Sequence, residues 1–279
     1  MFSVIQCEFC FVEFAYFITI SLPVMSVCAL PRHVEVVCDG EGSRSLIARA
    51  AFEPGQCVIT NVPIAQNVLG TQISERCSNC FCKSDKLQQC CRCAFVRYCS
   101  RNCQKQDWPK HRGECKSLAA LQLTTSPTIM QEVGLLVRVF NAIEQDQQER
   151  PCESTDRGIC CSTGHVLDMA TLSRTPPRFS DEDTFVAATV KEILKKEPLD
   201  SIQQMQLRFK CNNFGVMDEL MQCIGAGVFP AVALLNHSCR PSCILRYVLS
   251  PGQPITLQVM ILVHDLCYLH FVLLFLLHR

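Results

Sequence analysis

Two short runs of alternating polarity, 33–38 and 45–52, flank the turn-rich Asp39-Gly40-Glu41-Gly42 and predict a pair of strands. Pro54-Gly55 then turns the chain into a β-rich run over 57–69. From residue 126 the period becomes helical: Ser126 is a good N-cap with Pro127 at the first helical position. Ile129, Val133, Leu136, Phe140 and Ile143 follow at spacings of 4, 3, 4 and 3. A second helix is expected from Ser180, with Asp181, Glu182 and Asp183 in its first turn, stopping before Pro198. A third, shorter one covers about 201–209, with Ile202, Met205 and Phe209 on one face. The stretch 150–179 has two adjacent prolines, many Ser and Thr and no period, and reads as loop. Farther on, the apolar run 228–235 ends at Asn236-His237-Ser238-Cys239.

Composition narrows the class. With 48% hydrophobic and 19% charged residues in 279, the chain is no disordered protein. Lys plus Arg equals Asp plus Glu at 26 each, so no bulk charge favours nucleic acid, only local patches. The 22 cysteines call for either a disulfide scaffold or metal sites. Their placement decides between the two. Seven lie on a pattern with one histidine: Cys77-x2-Cys80, Cys90-x2-Cys93, Cys99-x3-Cys103 and His111-x3-Cys115. Two thiolates two residues apart can both reach one tetrahedral zinc, because the tight turn between them points both sulfurs inward. Four pairs give eight ligands, enough for two closed structural sites without an open position for a water. Disulfides explain knuckles plus a histidine poorly. Cys82 and Cys91 lie inside the window but off the pattern and read as spare thiols. The segment 104–115 reads as a short helical stretch carrying the last two ligands. So short a window has little apolar core, and binding of about 10–16 kcal/mol per structural zinc would supply its folding energy. Cys152, Cys160, Cys161 and His165 lack knuckle spacing and read as loop residues.

The spacing C-x2-C-x9-C-x2-C-x5-C-x3-C-x7-H-x3-C, with Tyr98 before the fifth cysteine and Trp108 before the histidine, resembles a MYND zinc finger. That family interleaves its two sites. The resemblance implies one zinc on Cys77, Cys80, Cys99 and Cys103, and another on Cys90, Cys93, His111 and Cys115.

The order of the whole chain resembles the SET and MYND domain family of protein lysine methyltransferases, particularly its plant-type members. Arg44-Ser45-Leu46 through Ala48-Arg49 and Phe52-x-Pro54-Gly55 are similar to the family's opening strand pair. Cys211-Asn212-x-Phe214, Gly225-x-Gly227-x-Phe229-Pro230 and Asn236-His237-Ser238-Cys239-x-Pro241 are similar to the SET core signature. The fold implied is α+β: a split, β-rich SET domain interrupted by a MYND finger and a helical insert. The expected boundaries are 1–33 apolar extension, 34–76 first SET part, 77–115 finger, 116–206 helical insert, 207–262 incomplete SET core and 263–279 apolar tail.

The resemblance further implies transfer of a methyl group from S-adenosylmethionine to a lysine amine of a histone or other protein. Catalysis there is largely positioning plus electrostatics. Asn236 and His237 would hydrogen-bond the cofactor, and Arg44 would meet its carboxylate by charge and fork geometry. Ser43 stands where the family has glycine. No catalytic residue is assigned: the family's G-E-E-x-T-I-S-Y strand and post-SET cysteines have no counterpart after residue 255, and Tyr268 lies in another context.

A second reading is a non-catalytic adaptor, with the finger taking proline-containing peptides. Arg92, Arg97, Arg101, Lys105, Lys110, Arg112 and Lys116 form a local basic patch, read as a solvated face with weaker claims to DNA or an acidic partner. Expected besides are a monomer, no membrane role, and a reduced compartment, nucleus and cytoplasm. Residues 1–24 read as a spurious upstream extension with Met25 as the start, and 263–279 as translated intron or a shifted frame.

Overall fold

The computed structural model describes residues 31, 33–38, 44–121, 125–149, 179–237, 240–262 and 272–273. The turn 39–43, the loop 150–178 with its cysteines, Ser238-Cys239 and most of both terminal segments lie outside them. The architecture is α+β, with small sheets, a metal-binding segment and a helical layer that packs against Ile64, Ala65 and Val228.

The opening run forms the antiparallel pair β1 (Val34–Cys38) and β2 (Arg44–Ala48). The 57–69 run divides into β3 (Cys57–Asn61) and β4 (Ala65–Val68). These two belong to different sheets, and each finds its partner far downstream. After the short β5 (Gln88–Gln89) and β6 (Arg97–Tyr98), helices α1 (Arg101–His111) and α2 (Cys115–Leu121) close the cysteine-rich segment. A single helical stretch over 104–115 was expected. Instead the chain breaks at residues 112–114, where a Cβ on Gly113 would sit 2.1 Å from Asn141 Nδ2.

Helix α3 (Pro127–Glu149) begins where Ser126 and Pro127 predict, and Ser126 Oγ accepts from the Ile129 N–H at 3.3 Å. Helix α4 (Asp181–Leu194) starts with a capping box: Ser180 Oγ accepts from the Asp183 N–H, and the Asp183 carboxylate accepts from the Ser180 N–H. Helix α5 (Leu199–Asn212) runs past the expected 201–209 at both ends; Pro198 stands at its N-cap, its carbonyl accepting from the Ile202 N–H at 3.2 Å. The three helices bury Val133, Leu136, Val186, Val190, Ile202, Met205 and Phe209 against one another. The helical period has its cause there: these faces are the ones removed from water.

The chain then returns to strand as β7 (Asn213–Met217) and β8 (Cys223–Val228), a 3-10 turn (Val232–Leu234), β9 (Asn236–His237), β10 (Cys243–Val248) and β11 (Thr256–Ile261). Strand β4 pairs with β8, and β3 pairs with β11, both antiparallel. A two-residue strand β12 (Val272–Leu273) lies between β10 and β9, parallel to both, giving the order β3-β11-β10-β12-β9. A second sheet runs β4-β8-β7.

The sheets share a core that includes Leu46, Val216, Ile224, Phe229, Val232, Leu257 and Val259, each essentially removed from water. Phe81 from the cysteine-rich segment joins that core and is fully buried. Strand β8 makes room for it: a Cβ on Gly225 would lie 2.2 Å from the Phe81 ring and 2.5 Å from the Asn67 carbonyl oxygen. Glycine is therefore required at 225 by close approach of a ring and a backbone. No helix among the described residues is long and apolar enough to cross a membrane.

Candidate functional site

The eight ligand positions converge in two groups. In each of the sets Cys77, Cys80, Cys99, Cys103 and Cys90, Cys93, His111, Cys115, the ligand atoms all lie within 4.8 Å of one another. The first cysteine pair stands on a knuckle whose turn is closed by the Phe81 N–H donating to the Cys77 carbonyl at 2.9 Å. A matching bond, Ala94 N–H to Cys90 carbonyl at 2.8 Å, closes the second knuckle. Phe81 and Ala94 each take a positive φ, 61° and 51°, as a tight metal-binding turn demands. Ser100 caps α1, its hydroxyl accepting from the Cys103 N–H, so Cys103 sits in the first turn of the helix and Cys99 just ahead of its N-cap.

The edges of these groups fit a tetrahedral zinc. Bonds of 2.3 Å to sulfur and 2.0–2.1 Å to nitrogen imply edges of about 3.8 Å between sulfurs and about 3.6 Å between sulfur and nitrogen. Observed edges are 3.7 Å for Cys80–Cys99, 3.6 Å for Cys99–Cys103, 3.7 Å for Cys90–Cys115, and 3.6 Å from Cys93 Sγ to His111 Nε2. Disulfide sulfurs would stand about 2.05 Å apart, and the seven cysteines of the two groups form no disulfide. Burial with a neighbouring thiol pushes the Cys99 thiol up to about 11 and the Cys115 thiol up to about 12. Burial also acts to raise the Cys90 thiol, but hydrogen bonds from the backbone of its own knuckle and from His111 and Cys115 outweigh it and bring it down to about 6. The ligand thiols thus differ in their readiness to ionise, and a dication is the partner that makes thiolates of all of them. Cys91 is exposed, and half-buried Cys82 donates instead to the Cys80 carbonyl.

Around the histidine lies a buried polar network. His111 presents Nε2 to the cysteines, and its Nδ1 stands 2.9 Å from Glu114 Oε1. A neutral imidazole ligating through Nε2 carries its proton on Nδ1 and donates it to that carboxylate. Arg138 of α3 uses all five guanidinium N–H donors here. Nε and Nη2 donate to Glu114 at 2.8 and 2.6 Å, Nη1 and Nη2 donate to the two Asp107 oxygens at 2.9 and 3.1 Å, and Nη1 also donates to the Gln66 carbonyl at 2.9 Å. Tyr98 donates its hydroxyl to Asp107 Oδ2 at 2.7 Å, and burial, then the Asp107 charge, hold its phenol well above the ordinary range. The five side chains are each at most 3% exposed. Sequence spacing marked Tyr98 but not Asp107, Glu114 or Arg138; an acid one residue before the last ligand was the only local sign.

The basic patch is not uniform. Arg92, Arg101, Lys105, Arg112 and Lys116 are exposed, but half-buried Lys110 donates to the Pro63 carbonyl at 2.9 Å, and burial pushes its amine down to about 8. Trp108 is also exposed, its ring edge-on to His111 at 6.0 Å.

The residues assigned to a cofactor fall on two segments. Arg44 begins β2, and Asn236 and His237 form β9. Strand β2 packs on the 3-10 turn that leads into β9, and the Asn236 side chain is exposed.

Two four-ligand sites closed by a short helix pair define a MYND finger, and the family model for the MYND finger matches residues 77–115. Beyond the finger, the chain is similar to lysine methyltransferases. Histone-lysine N-methyltransferase ASHR1 of Arabidopsis thaliana is 29% identical over 207 residues, 73% of this chain and 42% of that protein. Histone-lysine N-methyltransferase SMYD3 of Mus musculus is 29% identical, covering 75% and 48% respectively. N-lysine methyltransferase SMYD2-B of Danio rerio is 28% identical over 253 residues, covering 83% and 55%. The chain thus carries a MYND finger and is similar to SMYD-type lysine methyltransferases, spanning about half the length of the curated relatives it matches.

Proposed function

We propose that the chain belongs to a SET-type protein lysine methyltransferase that takes its methyl group from S-adenosylmethionine. The observation that carries this is the similarity to lysine methyltransferases over about three quarters of the chain. The strand pairing supports a split SET domain: β3 and β4, ahead of the finger, pair with β11 and β8, beyond the helices. On this reading 34–76 and 207–262 are two parts of one core, 77–115 is the inserted finger and 116–206 the helical insert. Residues 1–33 and 263–279 would lie outside the family core.

Asn236, His237 and Arg44 are the residues that would hold the cofactor. An exposed amide offers both donors and an acceptor, as Asn236 does at the start of β9. S-adenosylmethionine supplies an electrophilic sulfonium methyl; the protein's part is to align a neutral lysine amine with it and exclude water. The finger's zinc sites are closed and structural, so no metal chemistry enters the transfer. The substrate would be a protein presenting a lysine, histone or other, with proline-containing segments as candidate ligands of the finger. Nucleus and cytoplasm are the matching locations, and a monomer the matching state.

Titration calorimetry with S-adenosylmethionine tests the proposal. Binding by the wild-type chain that weakens at least tenfold in Asn236→Ala supports it. No measurable binding by a chain carrying two zinc ions overturns it for this chain and leaves the finger on a non-catalytic scaffold.

A further inference from the structure

Arg138 belongs to helix α3, outside the segment that carries the metal ligands, yet two of its donors reach Glu114, which holds His111, two reach Asp107 on the helix that carries His111, and one reaches the Gln66 carbonyl of β4. We propose that Arg138 is a positioning residue for the Cys90–Cys93–His111–Cys115 site, and that metal binding there and docking of α3 on the finger are one coupled equilibrium. The inference rests on the zinc reading of the finger and not on methyl transfer.

Three observations converge on it. First, Glu114 Oε1 is a shared acceptor, taking His111 Nδ1 on one side and two Arg138 donors on the other. The imidazole orientation is therefore fixed by a carboxylate that is itself fixed by α3. Outer-shell partners of a ligating histidine set its tautomer and basicity. Second, Asp107 and Glu114 are both buried, and three thiolates on one zinc add a further negative charge beside them. Arg138 is the cation that makes this density tolerable, gripping Asp107 bidentately. Third, α3 is shaped for the contact: a Cβ on Gly134 would stand 2.9 Å from Glu114 Oε2. Glycine inside a helix costs stability, and here its missing side chain is what lets the carboxylate lie against the helix.

The Cys77–Cys80–Cys99–Cys103 site is tied elsewhere, to β4 through Gln66 Nε2 donating to the Asn79 carbonyl at 2.9 Å and to the sheet core through Phe81, and no Arg138 donor reaches its ligands, so the two sites should respond differently. Coupling is reciprocal: if α3 strengthens metal binding at one site, metal there must stabilise the docked α3 by the same factor.

The test uses the full zinc-loaded chain. Zinc affinities are read by competition with a colorimetric chelator, and cobalt(II) substitution distinguishes the four-sulfur from the three-sulfur, one-nitrogen site by its visible bands. Arg138→Met, and the milder Glu114→Gln and Gly134→Ala, should weaken the histidine-containing site by about 10- to 100-fold and leave the four-cysteine site unchanged. Arg138→Lys should recover part of the loss. Val139→Ala, buried on the same helix but facing the helical core, should lower thermal stability without separating the two affinities. Removing one zinc from the wild type should speed amide exchange in α3 around residues 134–141. Equal affinities at both sites in all variants, or an equal fall at both as from general destabilisation, would overturn the proposal. A wild-type chain that binds no metal would instead overturn the zinc reading beneath it.

Discussion

Replacing Phe81 with alanine separates the finger's two jobs, holding metal and anchoring to the core. The ring is fully buried among the sheet residues, and its backbone closes the first knuckle. Truncating a buried phenylalanine costs about 3–5 kcal/mol, the upper half applying where neighbours cannot collapse into the cavity. The wall of this cavity is Gly225, which has no side chain to move, backed by the Asn67 carbonyl. A loss of about 4–5 kcal/mol is therefore expected in urea unfolding followed by circular dichroism. None of the eight ligands is touched, so zinc content should stay at two. The complementary variant, Gly225→Ala, drives a Cβ into the ring and should cost about 1–3 kcal/mol by overpacking. Combined, the two changes should cost less than their sum, because the vacated space receives the new methyl; rescue is partial, since the 2.5 Å contact with the Asn67 carbonyl remains. A Phe81→Ala loss below about 1 kcal/mol, or strict additivity in the double variant, would refute the idea that this ring anchors the finger.

Stripping metal with a strong chelator at neutral pH should melt residues 77–121 while helices α4 and α5 keep their signal, as followed by hydrogen exchange; retained protection in the finger would contradict a metal-supplied fold. Tyr98→Phe removes one donor to buried Asp107 and should cost about 1–3 kcal/mol in thermal denaturation, whereas an unchanged midpoint would mean Arg138 alone holds that carboxylate. Asp183 should give the helical layer an acid limb. Burial acts to raise its pKa, but the Lys210 ammonium and the Ser180 cap outweigh it and hold the carboxyl below the usual range. Its stabilising contribution is thus present above about pH 4 and lost as pH falls through the depressed folded value. Asp183→Asn should flatten that limb in unfolding measured from pH 2 to 5, and an unaltered slope would exclude the pair.

Features carried by a few adjacent residues were legible in the sequence. Knuckle spacing marked all eight atoms that converge, Ser126-Pro127 marked the start of α3, and Ser180 with three acids marked α4. Long-range partners were not. Arg138 is one more basic residue on an amphipathic helix until Asp107 and Glu114, 31 and 24 residues away, are seen around it. Lys110 looked like part of a solvated basic face, and only the fold brings the Pro63 carbonyl to it. The glycines at 225 and 227 fitted a family signature; the Phe81 ring that requires the first comes from far along the chain, whereas the Phe229 ring over the second lies only two residues away. The break between α1 and α2 was hidden because helical pattern ignores what Asn141 presses against Gly113. The segments proposed to hold a cofactor were readable as motifs, whereas the approach of β2 to the turn before β9 was not.

The finger sets two interleaved, closed groups of metal ligands into an α+β core. Zinc analysis of the purified chain with X-ray absorption at the zinc edge tests that arrangement most directly. Two zinc ions per chain are predicted, with an average shell of seven sulfurs to one nitrogen over both sites, at about 2.3 and 2.0 Å. One zinc or none, an oxygen-containing shell, or oxidised Cys77, Cys90, Cys99 or Cys115 in the native protein would contradict it.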